Sequence, residues 1–121
     1  MFEQRYSFFF EAAHDLGSNV QGKDHPYARI HGHSFETTLY LRGADLNDKG
    51  WLTDFAEVRK AAEDVRERLD HRFLNEIEGL ERPTLEILSR YIFDMVKKDI
   101  PTLAAVEVGR PSLNEVARYE A

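Results

Sequence analysis

Phe2, Tyr6, Phe8 and Phe10 fall in step on one side of an extended chain, and Glu3, Arg5, Ser7 and Glu11 on the other. A period of two sustained from residue 1 to 14 predicts a long strand. From 30 to 42 the period returns: Phe35, Thr37, Leu39 and Leu41 share one face, and Glu36, Thr38, Tyr40 and Arg42 the other, a second long strand. Between them, residues 16–28 collect Gly17, Ser18, Asn19, Gly22, Lys23, Asp24 and Pro26, a loop of a length that usually carries function. Gly43 to Gly50, with Asp45, Asn47, Asp48 and Lys49, reads as a turn. Asp54 and Glu57 then form a variant capping box, in which each carboxylate accepts from amides that a helix start leaves unpaired. Phe55, Val58, Ala62, Val65 and Leu69 recur at helical spacing, with Glu57, Arg59, Lys60, Glu63, Asp64 and Arg66 outside, so a helix is expected over 55–69. A second starts at Thr84 after Pro83, carries Leu85, Leu88, Ile92 and Met95 or Val96, and closes through Lys97, Lys98 and Pro101. Loose alternation through Ala105, Glu107 and Gly109, then through Leu113, Glu115, Ala117 and Tyr119, predicts two short strands around Pro111. The order is that of a single α+β domain over residues 1–121, with helices gathered on one face of an antiparallel sheet.

Composition narrows the function classes. Of 121 residues, 42% are hydrophobic and 31% charged, with four prolines, which suits a chain that buries a core and excludes a disordered tail. A formal charge of -6 offers no basic field for nucleic acid or anionic lipid, so a small molecule or a protein is the expected partner. No apolar run approaches the roughly 20 residues that span a bilayer. Met1 to Arg5 also lacks the basic region of a secretory leader, and the chain reads as cytoplasmic. Zero cysteines exclude a disulfide scaffold, an iron-sulfur site, a thiolate zinc finger and a thiolate base.

Five histidines remain to be weighed. His31-Gly32-His33 opens the second strand, and an i, i+2 spacing on an extended chain points both imidazoles to one side, about 7 Å apart at Cα. His14 ends the first strand, so a hairpin pairing of the two strands brings it to the other two. Three imidazoles without a thiolate are the ligand set of a catalytic zinc with a fourth position open, although an isolated His-x-His also arises on surfaces by coincidence. Gly32 permits close backbone approach. His25, in a polar loop, is expected to be solvated.

Asp70-His71 follows the first helix. A carboxylate that accepts from an imidazole fixes its tautomer and raises its basicity, which suits proton transfer. Adjacent side chains do not always face each other, and His71 at the negative end of the helix dipole is the competing assignment. Glu86, in the first turn of the second helix, stands where an acid is favoured electrostatically.

Phe10-Glu11-Ala12-Ala13-His14, His31-Gly32-His33-Ser34-Phe35, Gly50-Trp51-Leu52-Thr53-Asp54-Phe55, Leu69-Asp70-His71-Arg72-Phe73-Leu74-Asn75 and Pro83-Thr84-Leu85-Glu86 follow one another as in the 6-pyruvoyl-tetrahydropterin synthase superfamily. The chain resembles most its bacterial 6-carboxy-tetrahydropterin synthase branch, of the queuosine pathway. The resemblance spans essentially the whole chain. It implies a T-fold, whose four-stranded sheets trimerise into a twelve-stranded barrel and whose trimers stack as a homohexamer with active sites between subunits. It also implies Zn2+ on His14, His31 and His33, gripping the side-chain hydroxyls of 7,8-dihydroneopterin triphosphate so that triphosphate is eliminated and the side chain rearranged or cleaved. Asp70 and His71 match the proton-transfer pair, and Thr84 and Glu86 a segment lining the pterin pocket.

Two positions depart from the family pattern. Its proton-abstracting cysteine lies four residues before His31, where this chain has Tyr27; a phenolate there requires zinc or Arg29 to lower a pKa of about 10. Some relatives place a glutamate nearby, and Tyr27-Ala28-Arg29-Ile30 has none. Its pterin-clamping glutamate, after a Val-x-Val stretch, corresponds to Arg110. Glu107 points to the opposite face and Glu115 needs a different register. An arginine there suits a carboxylate or phosphate on the substrate. Three functions follow: a zinc-dependent carbon-oxygen/carbon-carbon lyase of the tetrahydropterin synthase type, a related zinc enzyme with an anionic or non-pterin substrate, or a non-catalytic binder of a pterin-like ligand.

Overall fold

The computed structural model describes residues 1–17 and 25–121; the expected loop's Ser18, Asn19, Gly22, Lys23 and Asp24 lie outside them. Among the described residues, strands β1 (Phe2–His14) and β2 (His31–Gly43) are followed by helices α1 (Phe55–Leu69) and α2 (Leu85–Lys97), then by β3 (Leu103–Arg110) and β4 (Glu115–Glu120). Single 3-10 turns occupy Pro26–Ala28, Leu74–Glu76 and Pro111–Leu113. The strands lie in the order β1-β2-β3-β4, every pair antiparallel. The expected element order is the observed one.

Side-chain alternation decides which sheet face takes the helices. Phe8, Phe10, Ala12 and His14 are buried, while Ser7, Phe9 and Glu11 between them are exposed. On β2 the buried set is Phe35, Thr37, Leu39 and Leu41. Val58, Ala61, Ala62, Val65 and Leu69 of α1 and Leu85, Leu88, Ile92, Phe93 and Val96 of α2 close over this face in one core. Asp54 caps α1 by accepting from Ala56 N–H at 2.9 Å. Only half of the expected capping box forms, since no bond returns from Glu57 among the described residues. Thr84 caps α2 through Ile87 N–H.

Two features position the chemistry. The β1–β2 register runs without a break from Phe2 opposite Gly43 to His14 opposite His31, so both strands end level. After α1 the chain passes along the outer edge of β1: Ala13 N–H donates to the Arg72 carbonyl at 3.0 Å, and Phe73 forms a parallel bridge with Ala13.

Candidate metal and proton-transfer site

His14, His31 and His33 converge at the level end of the hairpin. Each offers one ring nitrogen within 4.8 Å of the others, and ring centroids stand 4.6 to 5.2 Å apart, all edge to face. His14 sits opposite His31 and His33 two residues further along the same face, an arrangement that pairing of the strands imposes once all three leave one side. Phe35 lies beneath, 5.6 Å from the His14 ring and 5.5 Å from that of His33.

Backbone carbonyls orient two of the rings. His14 Nδ1–H donates to the Pro83 carbonyl at 3.0 Å, and His31 Nδ1–H to the Arg29 carbonyl at 2.7 Å. That tautomer leaves Nε2 with a lone pair, the outer-shell arrangement that metal-binding histidines use. Among the described residues, the buried Nε2 atoms of His14 and His33 have no hydrogen-bond partner. Burial chiefly, with smaller contributions from the neighbouring imidazoles and Arg110, pushes His14 down to about 4. Burial, then Arg110 and His31, does the same to His33. Both are therefore neutral at physiological pH, as ligation requires. Unpartnered buried acceptors, neutral rings and an all-nitrogen donor set fit a divalent transition metal such as zinc.

Asp70 and His71 do face each other, which settles the question that adjacency left open. His71 takes a left-handed backbone, φ 58, and its Nδ1–H donates to Asp70 Oδ2 at 2.8 Å. Asp70 Oδ1 accepts from the Glu11 amide at 2.8 Å, and Arg66 lies 3.5 Å from Oδ2. The Glu11 amide first, then His71 and Arg66, hold the Asp70 carboxyl below its ordinary range. His71 itself is mostly exposed, and it shares an open cleft of about 520 Å3 with Glu11, Gly32, His33, Ser34 and Arg72.

The other expected residues are more dispersed. Tyr27 is 41% exposed, its ring 6.3 Å from that of His31, and Arg29 enters through its carbonyl. Thr84 is half-buried at its cap and Glu86 exposed on the first turn of α2, away from the cleft of its own chain. His25 is exposed, as expected, and caps the turn at Tyr27. Arg110 lies beside the histidines, but Glu115 needs no change of register: it pairs directly with Arg110 and leaves the same face. The expectation failed because the 3-10 turn at Pro111–Leu113 consumes residues that simple alternation counts as strand. Pro83 and Glu11, which brace His14 and Asp70 through backbone groups, carried no side-chain signal of that role.

A four-stranded antiparallel sheet, two helices on one face and three converging histidines at its end define a T-fold protein with a metal-type site. The chain belongs to the 6-pyruvoyl tetrahydropterin synthase family, whose model matches residues 4–121. It is 39% identical to a 6-carboxy-5,6,7,8-tetrahydropterin synthase of Synechocystis sp., over 93% of this chain and 88% of that protein. It is 31% identical to a dihydroneopterin monophosphate aldolase of Pyrococcus furiosus, over 79% of this chain and 75% of that one. The 6-pyruvoyl tetrahydropterin synthase of Caenorhabditis elegans superposes with a TM-score of 0.87 at 24% identity, covering 99% of this chain and 95% of that one.

Proposed function

We propose that the chain is a zinc-dependent lyase of the tetrahydropterin synthase type that removes triphosphate from 7,8-dihydroneopterin triphosphate, assembled as a homohexamer with active sites between subunits. The observation that carries this is the histidine triad, with two Nδ1–H groups anchored to carbonyls and unpartnered Nε2 atoms turned inward. His14, His31 and His33 would hold the ion. Zinc, when bound, supplies Lewis acidity toward the substrate's side-chain hydroxyls.

The chain's own groups handle protons. With Nδ1–H committed to Asp70, His71 presents Nε2 as the acceptor or donor of a proton, and Asp70 stabilises the imidazolium that forms. Loss of a carbon-bound proton of the substrate to a base leaves the electron pair to form a double bond as triphosphate departs. Tyr27, at the position of the missing thiol, is proposed as the second proton-transfer group, and Thr84 and Glu86 as contacts to the ring from a neighbouring subunit. The different activities of the two curated relatives show how far this scaffold's chemistry varies, so the reaction is tested directly. Full-length protein carrying one zinc per chain, incubated with 7,8-dihydroneopterin triphosphate, should release triphosphate and yield a 6-substituted tetrahydropterin. His71→Asn should lower kcat by about 10²–10⁴. No release from the loaded wild type would sink the assignment.

A further inference from the structure

The ring of His14 is aimed by one contact, Nδ1–H to the Pro83 carbonyl at 3.0 Å, between residues far apart in the chain. His14 is 1% exposed, so its ring has no solvent to turn into and takes its direction from that carbonyl. Whatever places the carbonyl is therefore part of the site. On one side Thr84 fixes it, by capping α2 through Ile87 N–H at 3.2 Å. On the other, the chain from Arg72 to Pro83 crosses the end of β1 as a strap, docked by the Ala13–Arg72 bond and by Leu74 and Leu80 in the core.

Asn75 closes the strap onto β1. Its Oδ1 accepts from the Asp15 N–H at 3.0 Å and its Nδ2 donates to the Asp15 carbonyl at 2.9 Å, so both backbone groups of the residue after His14 are held. The same Nδ2 donates to the Glu81 carbonyl at 3.4 Å, two residues before Pro83. The contacts make a closed circuit: the His14 ring to Pro83, back along the chain to Glu81, across Asn75 to Asp15, and so to His14 again. Leu74 and Leu80 set the depth of the strap, but apolar contacts are non-directional and leave it free to slide along β1. The hydrogen bonds of Asn75 remove that freedom. Only a carboxamide offers an acceptor and two donors in one plane; an aspartate of the same shape would set a carboxylate oxygen against two carbonyls.

We propose that Asn75 is a positioning residue for the candidate metal ligand His14. It locks the Pro83 carbonyl where His14 keeps its proton on Nδ1 and turns the Nε2 lone pair toward His31 and His33, and it touches neither ion nor substrate itself. The identity of the ion rests on the zinc reading above, while the circuit does not. The Leu74-Asn75 step of the segment that follows the Asp-His pair thereby acquires a role in the metal site.

Zinc affinity of the full-length protein, measured by competition with a fluorescent chelator, and the visible absorption of its cobalt(II) form test the proposal. Asn75→Asp should weaken zinc about tenfold or more and alter the cobalt bands, which report ligand geometry. Asn75→Leu, which has a similar shape and no polar atom, should do the same. Thr53→Val is the control: it removes the 2.6 Å bond between the Thr53 and Thr102 hydroxyls, beside Gln4 at the far end of β1 from His14. Urea unfolding reports what each variant loses in stability, and Thr53→Val should keep the wild-type zinc affinity and cobalt spectrum. Zinc affinity within twofold of wild type in both Asn75 variants overturns the proposal. So does an equal loss of affinity in Thr53→Val, which traces the effect to stability alone. A wild type that takes up neither zinc nor cobalt overturns the positioning role and the zinc reading together. A wild type that binds zinc yet releases no triphosphate defeats the lyase reading alone, whereas unchanged zinc affinity in the Asn75 variants of an active enzyme defeats the positioning role alone.

Discussion

Residue 71 illustrates what a single backbone angle does for chemistry. A left-handed φ costs a non-glycine residue about 1–2 kcal/mol, and at His71 it turns the ring back onto Asp70. The Asp-His pair was legible in the sequence; the dihedral that makes the two face each other was not, because it depends on residues 71–73 docking along β1. Asp70 also carries a pH signature. Its folded pKa is lowered from an ordinary 3.8, so its stabilising contribution is complete above that value and fades as the pH falls through and below it. Asp70→Asn should therefore melt below wild type at neutral pH, and the gap between the two midpoints should close as the pH falls below 3.8. A gap that persists unchanged into acid would mean that the ionised carboxylate is not the source.

Elements differ in how much of their extent is local. The expected helix over 55–69 matches α1 end to end, because Asp54 supplies the cap and the 3.6-residue stripe is complete within the segment. Strand β3 runs from Leu103, ahead of the loosely alternating positions expected from 105, since its start is set by pairing with Leu41 across a bulge that leaves Ala104 of β3 unpaired. The β3–β4 corner is tight. A Cβ added at Gly109 would stand 2.8 Å from the Glu115 carbonyl oxygen and 2.9 Å from Val116 Cγ2. Neither the backbone oxygen nor the branched side chain can yield without moving β4, so Gly109→Ala should cost about 1–3 kcal/mol in urea unfolding of the assembled protein. A loss below about 0.5 kcal/mol would show that β4 shifts freely and that the Arg110–Glu115 register is soft.

At the scale of the molecule, the sheet has two outer strands, β1 and β4, and its face away from the helices carries Tyr40, Glu107, Arg118 and Glu120 in a hydrogen-bonded polar network. Open edges invite pairing with further strands, and a second copy of the chain supplies them in the proposed barrel. No helix among the described residues is long and apolar enough to cross a membrane. If active sites form between subunits as proposed, one chain's Thr84 and Glu86 work with another chain's histidine triad and Asp70–His71 pair. His33→Ala and Glu86→Ala, each expected to lose at least about tenfold in activity, should then regain a measurable fraction when unfolded together and reassembled. Mixed assemblies as inactive as either parent would place the whole site within one chain.

The sequence by itself determined the element order, the buried face of each strand and helix, the three histidines that converge at the strand ends and the family, because alternation, helical stripes, caps and motif spacing are local properties of the chain. Tertiary structure decided the rest. The carbonyls of Pro83 and Arg29 that orient the imidazoles, the Glu11 amide that holds Asp70 ionised, and the pairing of Glu115 with Arg110 all join segments that no periodicity connects. Backbone donors and acceptors are the same at every residue, so only the folded path of the chain says which of them meet.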